Sequence, residues 1–265
     1  MRRVRFRDDG GSVRRGEWTD DDVIEFGGEA YDPGSVDVLP PVEPTKIVCV
    51  AANYVEHIKE AGRSIPEDLP PRPGFFLKGP NAVAGHGDTV KLPTPAVTPE
   101  ELAGREKGDI ELGRGRIDYE GEFGVVIGEQ CRNVPEEDYM DVVAGYTCVN
   151  DVSNRDDQDA ERNWVRGKAF DTSAPLGPVL ATPDEVPEQP RVRLWLNGEK
   201  RQDSDDDELV FPVGRAVSDV SRFLTLEPGD VVAMGTTVGV GPLSDGDRVE
   251  IEVEGVGRLE HDVEA

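Results

Sequence analysis

IDYEGEFGVVI, residues 117–127, contains the pattern from which the rest of the chain can be read. From Phe123 onward the run is continuously apolar, the signature of a strand buried on both faces. Just ahead of it stand Glu120 and Glu122, two residues apart, and in a strand that spacing puts both side chains on one face. Two like charges side by side cost stability unless a cation lies between them. The same spacing also fits two surface glutamates in an acidic chain. A third carboxylate, Asp151, closes GYTCVND (145–151) at the end of a second apolar strand, where it can turn toward a shared site. Three carboxylates without a Cys or His cluster select a hard ion, Mg²⁺, Mn²⁺ or Ca²⁺, and leave about three octahedral positions for water and substrate.

Working outward, KIVCVAANY (46–54) reads as a buried strand running into a short helix at VEHIKEAG (55–62), with Gly62 as its C-cap. PGFFLKGPNAV (73–83) and DTVKLP (88–93) are further strands bounded by Pro and Gly. Residues 94–116 lack periodicity and form a surface excursion. EEDYMDVVAGYTCVNDVS (136–153) reads as a short helix leading into a strand, and RVRLWLNGEKRQ (191–202) as a hairpin turning at Asn197-Gly198. Apolar residues recur at helical spacing from Val213 to Leu224 and stop at Pro228-Gly229. The last thirty residues are again β, and the acidic run 203–208 is a solvated loop. Residues 1–42 form a small β segment ending in the Pro-rich DVLPPVEP, and 43–265 form the main domain. Val4–Arg7 is its first strand rather than an export signal, since no apolar stretch follows the paired arginines.

The chain has 265 residues, with 55 acidic against 29 basic side chains and a net charge of -26. Only seven of the basic residues are Lys. Such a surface suits a cytoplasm of very high salt, where carboxylates hold water and salt screens their repulsion; an ordinary acidic cytosolic protein is the alternative. Either way, phosphate-rich partners, nucleic acid and anionic membrane, are repelled. No run approaches the roughly 18–20 apolar residues of a membrane span. Three cysteines without metal-type spacing imply no disulfide framework, which fits a reducing compartment.

Three further groups carry chemistry. His57 and Glu60 at i and i+3 share a helix face, so the carboxylate can orient the imidazole as a general base, or the two can form a plain surface pair. Lys168, in GKAFDTSAPLGP (167–178), can offer positive charge to an oxyanion, and Lys78 lies in an apolar strand that should be half buried. MGTTVGVGPL (234–243) can present N–H groups and hydroxyls to a carboxylate; it is no phosphate loop.

Taken in order, CVAANYVEH, PGFFLKGPNAVAG, DYEGEFGVVIG, VAGYTCVNDVSNRDDQ, GKAFDTSAPLGP, LNGEKRQ and LEPGDVVAMGTTVGVG resemble the fumarylacetoacetate hydrolase family. The resemblance runs from residue 46 to about 262. It implies a mainly β, α+β fold of mixed sheets rolled into a sandwich-like barrel, a cytoplasmic homodimer, and Mg²⁺ or Mn²⁺ held by Glu120, Glu122 and Asp151. It makes His57 and Glu60 the water-activating dyad, with Lys168 and Gln158 stabilising charge. Asn53, Tyr54, Lys78, Arg155 and Thr236 are assigned to the substrate. The implied reaction is C–C hydrolysis of an acylpyruvate or fumarylacetoacetate-type 2-oxo acid, the leaving fragment departing as an enolate held by the ion. Isomerisation of a heptadienedioate, decarboxylation of oxaloacetate and dehydration of a 2-keto-3-deoxy sugar acid are the alternatives within the family, and a non-catalytic binding module the one outside it. Where the family commonly reads T-G-T-P, this chain reads Met234-Gly235-Thr236-Thr237, a departure expected to reshape the carboxylate pocket.

Overall fold

The computed structural model describes residues 1–60, 71–93, 116–204 and 209–265. The Gly62 cap, the excursion over 94–115 and the acidic residues 205–208 lie outside them. The strands are β1 (Arg2–Arg7), β2 (Val13–Trp18), β3 (Ile24–Phe26), β4 (Glu29–Tyr31), β5 (Asp37–Leu39), β6 (Ile47–Ala51), β7 (Gly74–Lys78), β8 (Val83–Ala84), β9 (Thr89–Lys91), β10 (Ile117–Tyr119), β11 (Gly121–Ile127), β12 (Val143–Asn150), β13 (Ser153–Asn154), β14 (Ala174–Ala181), β15 (Val192–Leu196), β16 (Glu199–Ser204), β17 (Val231–Thr236), β18 (Gly241–Pro242), β19 (Arg248–Val253) and β20 (Gly257–Glu264). The helices are α1 (Val55–Glu60), α2 (Arg155–Ala160), α3 (Val165–Lys168) and α4 (Val213–Phe223). The segment Glu136–Val142, read above as a short helix, is a 3₁₀ helix.

Among the described residues the main sheet runs β4-β3-β2-β1-β14-β12-β11-β17-β6-β7, with β5 added on β1 and β8 on β14. A second sheet runs β16-β15-β19-β20-β9, and a small third one β13-β10-β18. This is the mixed-sheet fold expected, but the main sheet does not close into a barrel: its path begins at β4 and ends at β7, which do not pair. The β1 strand pairs with β14, Arg2 opposite Ala181, so the N-terminal hairpins extend the same sheet that carries the centre of the molecule.

Every residue of β11 is buried, which is why FGVVI is apolar without alternation. Phe123 and Val125 face the large core between the sheets, where Phe123 stacks on Tyr146 at 4.8 Å between ring centroids. The opposite face of β11 meets a smaller cluster of Ile47, Cys49, Val149, Leu176 and Ala233 through Val126. Gly124 lets β12 approach on that side: a Cβ there would stand 2.7 Å from Val149 Cγ2. The hairpin between β15 and β16 turns at Asn197 and Gly198, both with positive φ (53° and 78°), the geometry that an Asn-Gly pair favours.

His261 on β20 is buried at 1% exposure, and its Nε2 lies 2.8 Å from Asn150 Nδ2. Burial pulls this imidazole down from 6.5 to about 4. The folded protein thus keeps the ring neutral while the unfolded chain protonates it, so this contribution to stability is complete above pH 6.5 and is lost as pH falls toward 4. Between pH 7.5 and 5 the unfolding free energy of the parent, from urea titrations, is expected to fall by about 2 kcal/mol more than that of His261→Gln. Equal falls would show that His261 is not held neutral.

Candidate metal centre and active site

The parity of β11 and β12 builds the site. Glu122 and Val126 share a face of β11, and Val149 points to the same smaller cluster from β12. Asp151, two residues past Val149, continues that face. Glu120 lies opposite Asp151, whose N–H donates to the Glu120 carbonyl at 2.9 Å. Glu120, Glu122 and Asp151 are 4%, 2% and 2% exposed, and they offer oxygens all within 4.8 Å of one another.

Cations compensate this charge unevenly. Lys168, the last residue of α3, is 3% exposed and donates to Glu120 Oε2 at 2.8 Å and to Asp151 Oδ2 at 2.6 Å, as well as to Ser153 Oγ. Arg155, at the start of α2, donates through Nη2 to Glu120 Oε1, through Nε to Asp118 Oδ2 at 2.8 Å and through Nη1 to Gln158 Oε1 at 3.0 Å. Burial alone would raise the Glu120 carboxyl, but Lys168 and Arg155 overcome it and hold the group well below the usual range. Burial would likewise lower Lys168, and the Asp151 and Glu120 charges raise it instead. Glu122 differs. Burial, Asp151 and Glu120 together push its carboxyl well above the ordinary value. Its recorded donor is the N–H of Gly235, 2.8 Å from Oε2, in a backbone turned by a φ of 93° that favours glycine.

Three buried carboxylates, one of them left without a cation, form an all-oxygen donor set that fits a hard divalent ion. The ion would offset the repulsion at Glu122, to which Lys168 makes no hydrogen bond as it does to Glu120 and Asp151.

Around this centre lies a cavity of about 610 Å³. His57 on α1 stands at its side, with Nδ1 3.6 Å from Glu60 Oε2 and Nε2 3.9 Å from Glu120 Oε1. Its Nδ1 is buried without a hydrogen-bond partner. Glu60 meanwhile accepts from the N–H of Gly239 at 3.0 Å, tying α1 to the glycine-rich loop. Gln158, Arg155, Lys168 and Thr236 also line the cavity.

Asn53, Tyr54 and Lys78, assigned above to the substrate, do not line the cavity. The Asn53 amide is saturated by the backbone: it donates to Phe211 O and Met234 O and accepts from Phe211 N. Tyr54 is 1% exposed. Lys78, fully buried, lies beneath Asp151, 2.9 Å from its Oδ1, and donates to the carbonyls of Val152, Lys168 and Ser173. Since three carbonyls take its protons, its contact with Asp151 is one of charge without a directed hydrogen bond. Thr236 is at the cavity, but its hydroxyl proton goes to Gly121 O at 2.9 Å while Gln202 donates to the oxygen. The Met234-Thr237 departure leaves the cavity wall alone, because Met234 packs in the large core and Thr237 presents its carbonyl to Gln202. Asp118 is a buried site carboxylate not singled out above. It is 2% exposed and gripped by Arg116 and Arg155, and it obeys the same two-residue spacing as Glu120 and Glu122.

Calorimetry in metal-free buffer should see Glu122→Ala weaken Mg²⁺ or Mn²⁺ binding at least about tenfold, or 1.4 kcal/mol. Lys168→Met should leave affinity at or above the parent's, since it removes a cation competing for the same oxygens. Parent affinity should also rise with pH, because an ion displaces the proton that the raised Glu122 carboxyl holds. Unchanged affinity in Glu122→Ala would put the ion elsewhere.

The chain matches the family model described as "Fumarylacetoacetate (FAA) hydrolase C-terminal" over residues 46–264. It is 34% identical over 258 residues to the oxaloacetate tautomerase YisK of Bacillus subtilis, covering 93% of this chain and 79% of that one. Its structure superposes on 5-carboxymethyl-2-hydroxymuconate delta-isomerase from Mycobacterium smegmatis with a TM-score of 0.81 and 36% identity, covering 100% and 98% of the two chains. The maleylpyruvate hydrolase of Sphingobium sp. SYK-6, solved in complex with manganese(II) ion and pyruvate, matches with a TM-score of 0.76 and 31% identity over 100% and 99%. With its carboxylate centre on the same framework, this chain belongs to the fumarylacetoacetate hydrolase family.

Proposed function

We propose that the chain is a divalent-metal-dependent enzyme that hydrolyses a C–C bond of an acylpyruvate-type 2-oxo acid. The observation that carries this reading is His57, held between a carboxylate at Nδ1 and the metal centre at Nε2. Glu120, Glu122 and Asp151 would hold Mg²⁺ or Mn²⁺, which supplies Lewis-acid polarisation of the substrate's carboxylate and keto oxygens. A shift of a few tenths of an ångström brings Glu60 into hydrogen-bond range of Nδ1–H, fixing the tautomer with its lone pair on Nε2. Nε2 then takes a proton from water. The water oxygen adds to the carbonyl two carbons beyond the keto group, and the bond to the pyruvate-like fragment breaks. That fragment leaves with the bonding pair, and His57 returns its proton to the carbon. Lys168, at the floor of the site, provides the nearest fixed positive charge for the departing electrons. The manganese and pyruvate of the related maleylpyruvate hydrolase support this reading.

A second reading is proton transfer without water, supported by the likeness to an oxaloacetate tautomerase. There His57 moves the proton between carbon and oxygen, and no bond between carbons breaks. A panel of acylpyruvates, oxaloacetate and 2-keto-3-deoxy acids with Mg²⁺ separates the two. Acylpyruvate cleavage should dominate, and His57→Gln should lower its kcat by about 10²–10⁴ with metal affinity near the parent's. Glu60→Gln should cost less, since it orients the ring and takes no proton. Tautomerisation of oxaloacetate with no acylpyruvate cleavage would decide for the second reading.

We also propose that the acidity is an adaptation to high salt. Among the described residues only Asp118, Glu120, Glu122, Asp151, Asp219 and Asp230 are buried carboxylates, so the other described carboxylates are at least partly open to solvent. Unfolding midpoints should rise steeply from low to molar KCl as screening removes self-repulsion. A flat dependence would refute this.

A further inference from the structure

Asp118 is buried, yet it stands outside the three carboxylates whose oxygens converge on one point. Both of its oxygens are taken by guanidinium groups. Oδ1 accepts from Arg116 Nε and Oδ2 from Arg155 Nε, each at 2.8 Å. The backbone prepares this arrangement. Asp118 pairs with Ser153 across β10 and β13, and the N–H of Arg155 donates to the Arg116 carbonyl at 2.8 Å. The start of α2 is thereby fastened beside the end of β10.

With Nε held by Asp118, the planar guanidinium of Arg155 can aim its other nitrogens in few directions. Nη2 donates to Glu120 Oε1, and Nη1 to Gln158 Oε1 at 3.0 Å. Gln158 follows Arg155 by about one helical turn, on the same face of α2. Its backbone is pressed against α3: a Cβ on Gly167 would stand 2.8 Å from Gln158 Cα. An arginine has only donors, so the atom that Gln158 turns toward it is the amide oxygen. That leaves the NH₂ as the remaining polar end of the amide, on a residue that lines the cavity. Among the described residues, the contact with Arg155 is the recorded hydrogen bond of this side chain.

We propose that Asp118 is a positioning residue: through Arg155 it fixes the polarity of the Gln158 amide, so that the site meets a bound 2-oxo acid with an N–H donor rather than with a carbonyl oxygen. This rests on the reading of the site as a metal-dependent 2-oxo acid centre. It goes further by giving a task to a buried carboxylate outside the ion's ligand set. In this role Asp118 touches neither ion nor substrate and acts through two intervening side chains. An amide turned the other way would set its oxygen against the oxygens of the substrate, leaving both without a donor.

The test uses the full-length protein loaded with Mg²⁺ and pyruvate as the probe, with binding read by calorimetry at constant salt. Gln158→Leu, which removes the donor at similar volume, should weaken pyruvate at least about tenfold. Gln158→Glu, whose carboxylate still accepts from Arg155 but carries no N–H, should bind no better than Gln158→Leu. Asp118→Ala should weaken pyruvate at least about threefold in the parent and hardly at all in the Gln158→Leu background, because the two residues act in series. Its Mg²⁺ affinity should stay within about threefold of the parent's, whereas a general loosening of the site would weaken ion and pyruvate together. Arg155→Lys offers one nitrogen to three acceptors. It should reproduce the Asp118→Ala loss of pyruvate, and it decides the matter where Asp118→Ala does not fold. Parent-like pyruvate binding by Gln158→Glu would overturn the proposal, as would equal losses from Asp118→Ala in the two backgrounds. Pyruvate binding that is indifferent to Mg²⁺ would strike the underlying reading of the centre while leaving the comparison of variants valid, and no binding at all would overturn both.

Discussion

Four carboxylates crowd the ends of β10, β11 and β12, and their mutual repulsion is the constraint around which the other elements are set. Asp118, Glu120, Glu122 and Asp151 are all nearly inaccessible, so water cannot screen them. Each neighbouring segment contributes a remedy. The α3 helix delivers Lys168 between Glu120 and Asp151, α2 delivers Arg155 between Asp118 and Glu120, and β7 brings Lys78 up beneath Asp151. The side chain of Lys78 is fully buried, and its ammonium is satisfied by the backbone carbonyls of Val152 and Ser173. A side chain that looks misplaced in an apolar strand thus ties Asp151 to the segment carrying Lys168. Glu122 is compensated least: among the described residues its donor is a backbone N–H. A site finished on three sides and unbalanced on the fourth is an arrangement suited to an incoming cation.

Local rules made much of this legible. Period-two alternation put Glu120 and Glu122 on one face, and carrying it back one more step finds Asp118. The i,i+3 rule paired His57 with Glu60, and Asn197-Gly198 announced its hairpin. The misreadings arise where the deciding contact is far along the chain. Asn53 sits beside α1 in sequence, but its amide is captured by Phe211, 158 residues on. Lys78 was expected in a half-buried strand, yet it is fully enclosed, because its direction depends on β7 pairing with β6, Lys78 opposite Ile47. Met234 departs from the family pattern without touching the cavity, because strand parity sends it into the core. Whether sheets close on themselves depends on the meeting of two distant edges, and no local pattern records it.

The linkage of α1 to the glycine-rich loop bears on how chemistry and access are joined. Glu60 accepts from Gly239 while lying just beyond hydrogen-bond range of His57. One carboxylate therefore answers to both the loop and the imidazole. Its position between the two joins the helix that carries His57 to the loop beside the cavity.

The pairing of β1 with β14 has a consequence for the order in which the molecule is made. Arg2 lies opposite Ala181, so β1, once made, must wait for about two thirds of the 265 residues before its partner exists. At synthesis rates of about 5–20 residues per second that delay is on the order of ten seconds or longer. During it, β1 can be sheltered only by its local partners β2 and β5, which pair with it through neighbouring sequence. The N-terminal hairpins are thus also a holding arrangement. They keep Val4 and Phe6, later fully enclosed in the main core, from offering an apolar edge to other nascent chains.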